Sequence, residues 1–381
     1  MSILSKTGWE AFFADLISGK NRSISASLLR TLLLGCEIPY VAIMQIRNRL
    51  YDSGCLQVRG VDVPVIGVGN LTLGGTGKTP MVAYLTQWAL SRKLRPGLIS
   101  RGYRKGRSFD DPNDEHLNDE GMELAIRYPN VPHLQSADRY AAATRMLQKK
   151  KVDLLILDDA FQHRRMKRDL DIVLLDSRDP FGGGHIFPRG LLRESVRSLA
   201  RAPIVLLSRA DLVPESRRQK IRQQVEKIAP SAVWGEVVHR PSVLVSSFQA
   251  TLRDDSQINT EQSGFFGQRT APIDFLAGKR VFAFSGIAKP DTFGKMLMDC
   301  RAEIVKFVPL SDHHDFTPKE IERLSREAKE SGADLAVCTM KDLVKIRKRT
   351  LGDKELWALA IGIDFLRGEN EVHACLEKVE R

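Results

Sequence analysis

The sequence predicts an α/β protein of two domains, the first with a mostly parallel sheet and the second a smaller α/β domain. Three observations carry this. From about residue 63 short β-branched runs alternate with helical patterns, the arrangement of βαβ units around a parallel sheet. One of those strands runs straight into a glycine-dense turn and then a helix, over 66–80. A polar stretch rich in Ser, Thr, Gln and Asp, 246–274, separates this series from a second one.

In chain order, 63–68 reads as a buried strand, with Pro64 tolerable because it sits at the start. The turn and a helix over 81–90 follow. Strands are then expected at 97–100, 152–157, 172–175 and 204–207. The second series supplies 280–284, 303–308 and 334–338. The expected organisation is an N-terminal helical, membrane-associating segment at 1–60 belonging to the first domain, the first domain proper at 61–245, a linker or excursion loop at 246–274, and the second domain at 275–381.

At 381 residues the chain is long enough for more than one core. Hydrophobic residues at 43% and charged ones at 28% exclude a disordered, collagenous or disulfide-miniprotein class. The net charge of +11 points to polyanionic partners: nucleic acid, anionic lipid or phosphorylated small molecules. Cys36, Cys55, Cys300, Cys338 and Cys375 form no CxxC pair and read as reduced, mostly structural thiols of a cytosolic protein. Trp9, Glu10 and Asp15 interrupt what a secretory signal needs to keep apolar. No stretch reads as a spanning helix. The nearest, 28–50, is leucine-rich, is broken by Arg30, Glu37 and Pro39, and carries Arg47 and Arg49 near its end. Such a helix either lies in a bilayer interface with its arginines toward anionic headgroups or packs on its own domain.

The strongest signal is the turn itself. Thr72, Gly74, Gly75, Thr76, Gly77, Lys78 and Thr79 follow a strand and open a helix. Glycines let successive N–H groups converge on phosphate oxygens, and the helix N-terminus adds a favourable dipole. Lys78 is placed to reach the β- and γ-phosphates of ATP, and the Thr79 hydroxyl to ligate Mg²⁺. This makes the first domain P-loop NTPase-like, although Thr72 stands where the strict pattern has glycine and Leu73 where a related switch class has its signature lysine.

The strand at 152–157 runs into Asp158-Asp159-Ala160-Phe161-Gln162-His163-Arg164-Arg165. Carboxylates at the carboxyl end of a strand beside a P-loop strand are where Mg²⁺–phosphate needs a protein anchor, so Asp158 and Asp159 are the candidate metal ligands. Gln162, His163 and Arg164 offer donors to a phosphorylated substrate. The turn at 208–211, Ser-Arg-Ala-Asp, has the look of a base-reading turn, with helix-cap chemistry as its alternative.

These stretches together resemble the tetraacyldisaccharide 4′-kinases of lipid A synthesis. The likeness rests on 68–80, on Ser100-Arg101-Gly102-Tyr103, and on 158–164. Asn48-Arg49-Leu50-Tyr51, 169–173, Arg189-Gly190-Leu191-Leu192-Arg193-Glu194, 284–287, Asp312-His313-His314 and Lys341-Asp342 extend it over nearly the whole chain. The resemblance implies two α/β/α domains and transfer of the γ-phosphate of ATP, with Mg²⁺, to the 4′-hydroxyl of tetraacyldisaccharide 1-phosphate, giving lipid IVA. It implies a peripheral or monotopic enzyme on the cytoplasmic face of the inner membrane, in contact with an anionic surface. It implies a carboxylate–histidine catalytic pair that maps onto Asp119, within Asn118-Asp119-Glu120-Gly121, and His313. Asn70, Arg101, Tyr103 and Arg139 join the substrate-binding set, Arg101 and Arg139 as clamps on phosphate. Glu194 reads either as an acid supporting the site or as the start of a helix. A switch-type NTPase acting on a protein or membrane partner is the alternative; it predicts nucleotide hydrolysis without lipid. A nucleic-acid partner is not expected, with aromatic residues at 7% and no recognisable module.

Overall fold

The computed structural model describes residues 15–16, 21, 23–102, 117–249, 266–312 and 314–380. Its contacts divide the chain into two units. One holds the described residues up to Val82, with Val152–Val238 and Asp364 onward; the other holds Ala83–Lys151 and His239–Ile363. Neither is contiguous, whereas the organisation expected from the sequence is one of consecutive blocks. Composition marks where a chain changes character and is blind to where it returns. The expected linker at 246–274 carries strand residues at both ends, 246–249 and 266–271.

In the first unit, β1 (Val65–Asn70) lies between β4 (Leu154–Leu157) and β5 (Leu170–Asp176), and β5 pairs on its far side with β6 (Ile204–Ser208), all parallel. The first residues of β7 (Val233–Gln249) extend this sheet along β6. Every residue of β1 and β4 is buried, as in a parallel sheet covered on both faces. The C-terminal helix, α9 (Glu369–Glu380), returns to β5 and buries Val372 and Leu376. Two glycines of β1 answer to packing. A Cβ on Gly69 would lie 2.5 Å from the Phe161 Cβ, and one on Gly67 2.5 Å from Asp171 Oδ1. Their absence lets the segment after β4 close over the phosphate-loop strand.

The long helix before β1, α1 (Ile24–Asp52), is capped by the Ser23 hydroxyl and carries Pro39 inside it. By length and composition it is apolar enough to cross a membrane, which corrects the expectation that no stretch qualifies; only 6% of its most apolar window is buried. Ile24, Leu28, Leu32, Ile38, Ile43 and Ile46 are all more than half exposed. Its attachment runs along a polar edge. Buried Glu37 accepts from the Ile186 N–H at 2.7 Å and meets His185, Tyr40 Oη donates to the Arg193 carbonyl, and Arg47 donates to the Gln162 carbonyl at 2.7 Å.

In the second unit the parallel order is β10 (Glu303–Pro309), β9 (Arg280–Ser285), β11 (Leu335–Thr339) and β13 (Lys354–Arg367). Alternate residues feed two cores, as a two-residue period requires. Phe282, Phe284, Ala336 and Cys338 pack with Leu324 and Ala328 of α7 (Pro318–Glu330) and with α8 (Met340–Ile346). Val281, Ala283, Leu335 and Val337 pack with Phe293 and Leu297 of α6 (Pro290–Asp299). This unit also holds α3 (Asp119–Arg127), α4 (Arg139–Lys149) and the parallel pair β2 (Pro96–Ser100) and β3 (His133–Gln135). All five cysteines are free; Cys300 and Cys338 are buried, while Cys36 and Cys55 are exposed and serve no core.

Candidate active site

The glycine-dense turn leaves β1 at Asn70 and ends where α2 (Lys78–Ser91) begins, so Lys78 and Thr79 are the first two helical residues. Gly74 and Gly77 have φ of +103° and +92°, conformations that side chains disfavour. A Cβ on Gly74 or Gly75 would meet nothing within 4 Å, so the turn opens onto free space beside a helix N-terminus. That is the arrangement a phosphate chain requires. Thr72 and Thr76 are buried in the turn's walls.

Asp158 and Asp159 leave the carboxyl end of β4, next to β1. They are not equivalent. Asp159 takes φ +51°, and its carboxylate meets Lys78 Nζ at 3.5 Å and Arg193 Nη1 at 2.7 and 2.9 Å. Two cations thus occupy the acid expected to ligate the metal alongside Asp158. Asp158 is 5% exposed and Thr79 9% exposed, and both present hard oxygens. Among the described residues no group of three or more His, Cys, Asp or Glu could hold a metal ion. A hydroxyl and a single carboxylate suit Mg²⁺, which keeps waters and phosphate oxygens as its other ligands.

Several residues expected on the substrate are committed within the protein. Asn70 is fully buried, and its Nδ2 donates to the Thr72 carbonyl at 2.8 Å and the Gly74 carbonyl at 3.5 Å. Gln162 donates to the Asn70 carbonyl at 2.8 Å and to Glu194 at 3.0 Å. Arg164 clasps the end of α1, donating to the Asn48 carbonyl and to Asp52 and lying over the Tyr51 ring. The His163 N–H and carbonyl are held by Ala160 and Arg168. Glu194 resolves as a supporting acid. It is 1% exposed and accepts from Asn48, Gln162, Ser198 and Arg201.

The second unit carries Asp119. Asp119 is the first residue of α3, and the Asn118 side chain caps that helix by accepting from the Gly121 N–H. Gln135 locks the cap: its Nε2 donates to Asn118 Oδ1 at 2.6 Å and to Ser100 Oγ at 3.0 Å, while its Oε1 accepts from the Asn118 N–H. Ser100 in turn meets the His133 imidazole, whose pKa burial pushes down to about 4. A Cβ on Gly121 would lie 2.8 Å from Gln135 Nε2, so this network accounts for glycine there. Asp119 is 43% exposed at its side chain and lies 3.8 Å from Lys345 Nζ, which also donates to the His314 carbonyl at 3.0 Å. Lys345 therefore links Asp119 to His314 and Asp315. The His314 ring is held by Ser311 and Glu320. His313 and Tyr103 lie outside the described residues. Arg139 is buried at the start of α4, and Arg101 is exposed after β2.

Sequence reasoning gave Arg193 and Lys345 no role. Arg193 lies in the 189–194 stretch, and nothing local marks Asp159 as its partner. Lys345 follows Asp342 by three residues on α8 and carries no signal of its own; Asp342 caps that helix and accepts from the Gly286 N–H, and burial raises its pKa against those bonds.

A family model described as tetraacyldisaccharide-1-P 4′-kinase matches residues 29–381. A tetraacyldisaccharide 4′-kinase from Halothermothrix orenii is 31% identical, with 97% of each chain covered. One from Anaeromyxobacter sp. is 34% identical over 99% of this chain and 96% of its own. A crystal structure of LpxK from Aquifex aeolicus in complex with ATP superposes with a TM-score of 0.66 at 28% identity, covering 93% of this chain and all of that one. With a phosphate-binding turn, a paired acid and a capped Asp119 in place, the chain belongs to the tetraacyldisaccharide-1-P 4′-kinase family.

Proposed function

We propose that this chain transfers the γ-phosphate of ATP to the 4′-hydroxyl of a tetraacyldisaccharide 1-phosphate, giving lipid IVA, with residues assigned as follows. The single observation that carries the reading is the phosphate turn whose lysine opens α2 and rests on Asp159, in a chain of this kinase family. Lys78 stabilises the oxygens of the transferring phosphoryl group, where charge spreads in the transition state. Asp159 and Arg193 aim that lysine. Thr79 and Asp158 hold Mg²⁺, which neutralises charge on the β- and γ-phosphates when bound.

A sugar hydroxyl is a weak nucleophile at neutral pH, so a base must take its proton as it attacks. Asp119 is that base. Its proximity to Lys345, and through Lys345 to the 312–315 segment, supports the pairing with a histidine there. His314 is committed to Ser311 and Glu320, which favours His313 as the partner. As the 4′-oxygen forms its bond to the γ-phosphorus, the bond to the bridging oxygen breaks, ADP leaves, and the proton rests on Asp119. Arg101, exposed after β2, contributes a cation for the substrate's phosphate. The exposed isoleucines and leucines of α1 enter an anionic membrane surface as a peripheral or monotopic anchor on the cytoplasmic face of the inner membrane, where the acyl chains of the substrate stay.

The test is the acceptor dependence of ADP formation. With purified tetraacyldisaccharide 1-phosphate in mixed micelles, ADP is expected to appear at least about 10-fold faster than without it, reflecting the need for a positioned acceptor. Equal turnover with and without lipid would favour the switch-type NTPase.

A further inference from the structure

The turn at Ser208–Arg209, which carries the look of a base-reading loop, is engaged elsewhere. Ser208 ends β6, is fully buried, and donates through Oγ to the Thr76 carbonyl at 2.7 Å. Arg209 follows with φ +53° and ψ +40°, a left-handed conformation that costs a non-glycine residue about 1 kcal/mol or more. The Ser177 hydroxyl fixes that conformation by donating to the Arg209 carbonyl at 2.6 Å. Its guanidinium then reaches back over the phosphate turn, where Nη1 donates to the Gly75 carbonyl at 2.9 Å. The same nitrogen is held by Asp176 at the end of β5. Burial alone would raise the Asp176 pKa, but Arg178 and Arg209 outweigh it and keep the carboxyl below its ordinary range.

With the bonds from Asn70 to Thr72 and Gly74, the carbonyls of Thr72, Gly74, Gly75 and Thr76 each accept from a side chain that the strand ends supply. The electrostatic consequence is specific. A peptide turn binds an anion when its N–H groups face inward and its carbonyls face away, and one carbonyl swung inward both repels phosphate and removes a donor. We infer that Arg209, oriented by Asp176 and seconded by Ser208, is a positioning residue that holds the Gly75 and Thr76 carbonyls behind the phosphate turn and so sets its affinity for the polyphosphate of a nucleotide. This rests on the nucleotide-binding reading of the turn and goes beyond it by assigning the preorganisation to residues outside the glycine motif. The strained φ at Arg209 has a use on this view: it is what aims the guanidinium at a loop carbonyl.

The experiment is a titration of the full-length protein with ATP and with ADP by isothermal calorimetry, comparing wild type with Arg209→Met and Ser208→Ala. A preorganised turn grips the phosphates that both nucleotides share, so Kd for ATP and for ADP is expected to rise together, about 10-fold or more in Arg209→Met and about 3-fold in Ser208→Ala. Thermal midpoints establish that the variants are folded. If Arg209→Met does not fold, Ser208→Ala, which removes one oxygen from a buried site, decides alone. Loss confined to ATP with ADP unchanged would assign the guanidinium to the γ-phosphate and overturn the inference, as would wild-type Kd values in folded variants. Failure of the nucleotide reading is separately visible, because wild type would then bind neither nucleotide.

Discussion

Lys78→Ala is expected to cut phosphoryl transfer by about 10²–10³-fold or more, the loss seen when one preorganised donor to developing charge is removed. The surroundings make this a clean substitution. Asp159 keeps its two hydrogen bonds from Arg193 when the ammonium goes, so no buried carboxylate is stranded. Lys78 is the first residue of α2, where alanine is tolerated. The fall belongs in kcat more than in the KM for lipid, because the lysine meets phosphate and not the disaccharide. Steady-state transfer with melting curves alongside checks it; an unchanged kcat would remove Lys78 from the chemistry.

Asp119→Asn should have the second largest effect, about 10²–10⁴-fold in kcat, the span a positioned general base contributes. Asparagine keeps the size and leaves the Asn118 cap, the Gln135 lock and the start of α3 in place. The Kd for ATP should stay within about twofold, since a base that takes the acceptor's proton has no bond to make with the nucleotide's phosphates. A variant that retains full kcat would shift the base to another acid; one that loses ATP affinity in parallel would mean that the residue shapes the nucleotide site.

The contrast between these predictions and the residues that drop out of the site shows what a sequence can and cannot carry. Lys78 and Thr79 are legible because a phosphate turn needs glycines, a lysine and a helix start within a few consecutive residues, all visible as text. Gly67 and Gly69 have no such local signal: tertiary contact with Asp171 and Phe161 is what forbids a side chain there. Asn70 and Arg164 are polar residues beside a site, and polarity alone does not say whether a side chain faces ligand or backbone. The first ties the turn and the second clasps α1. Asp159 was indistinguishable from Asp158 until its positive φ and two cationic partners separated them. The strands expected from β-branched runs lie within a residue or two of those formed, but β3, β7 and β13 were not legible. The return of 364–380 to the first unit was not, because nothing local marks a long-range contact.

The measurement that bears most directly on the central claim is the site of phosphorylation on the lipid product. Wild-type protein, ATP, Mg²⁺ and tetraacyldisaccharide 1-phosphate should yield a product one phosphate heavier. Its ³¹P spectrum should show a second monoester coupled to the 4′-proton of the distal glucosamine, and this signal should be absent with Lys78→Ala. A product phosphorylated elsewhere on the disaccharide, or ADP formed with no lipid product at all, would contradict the account.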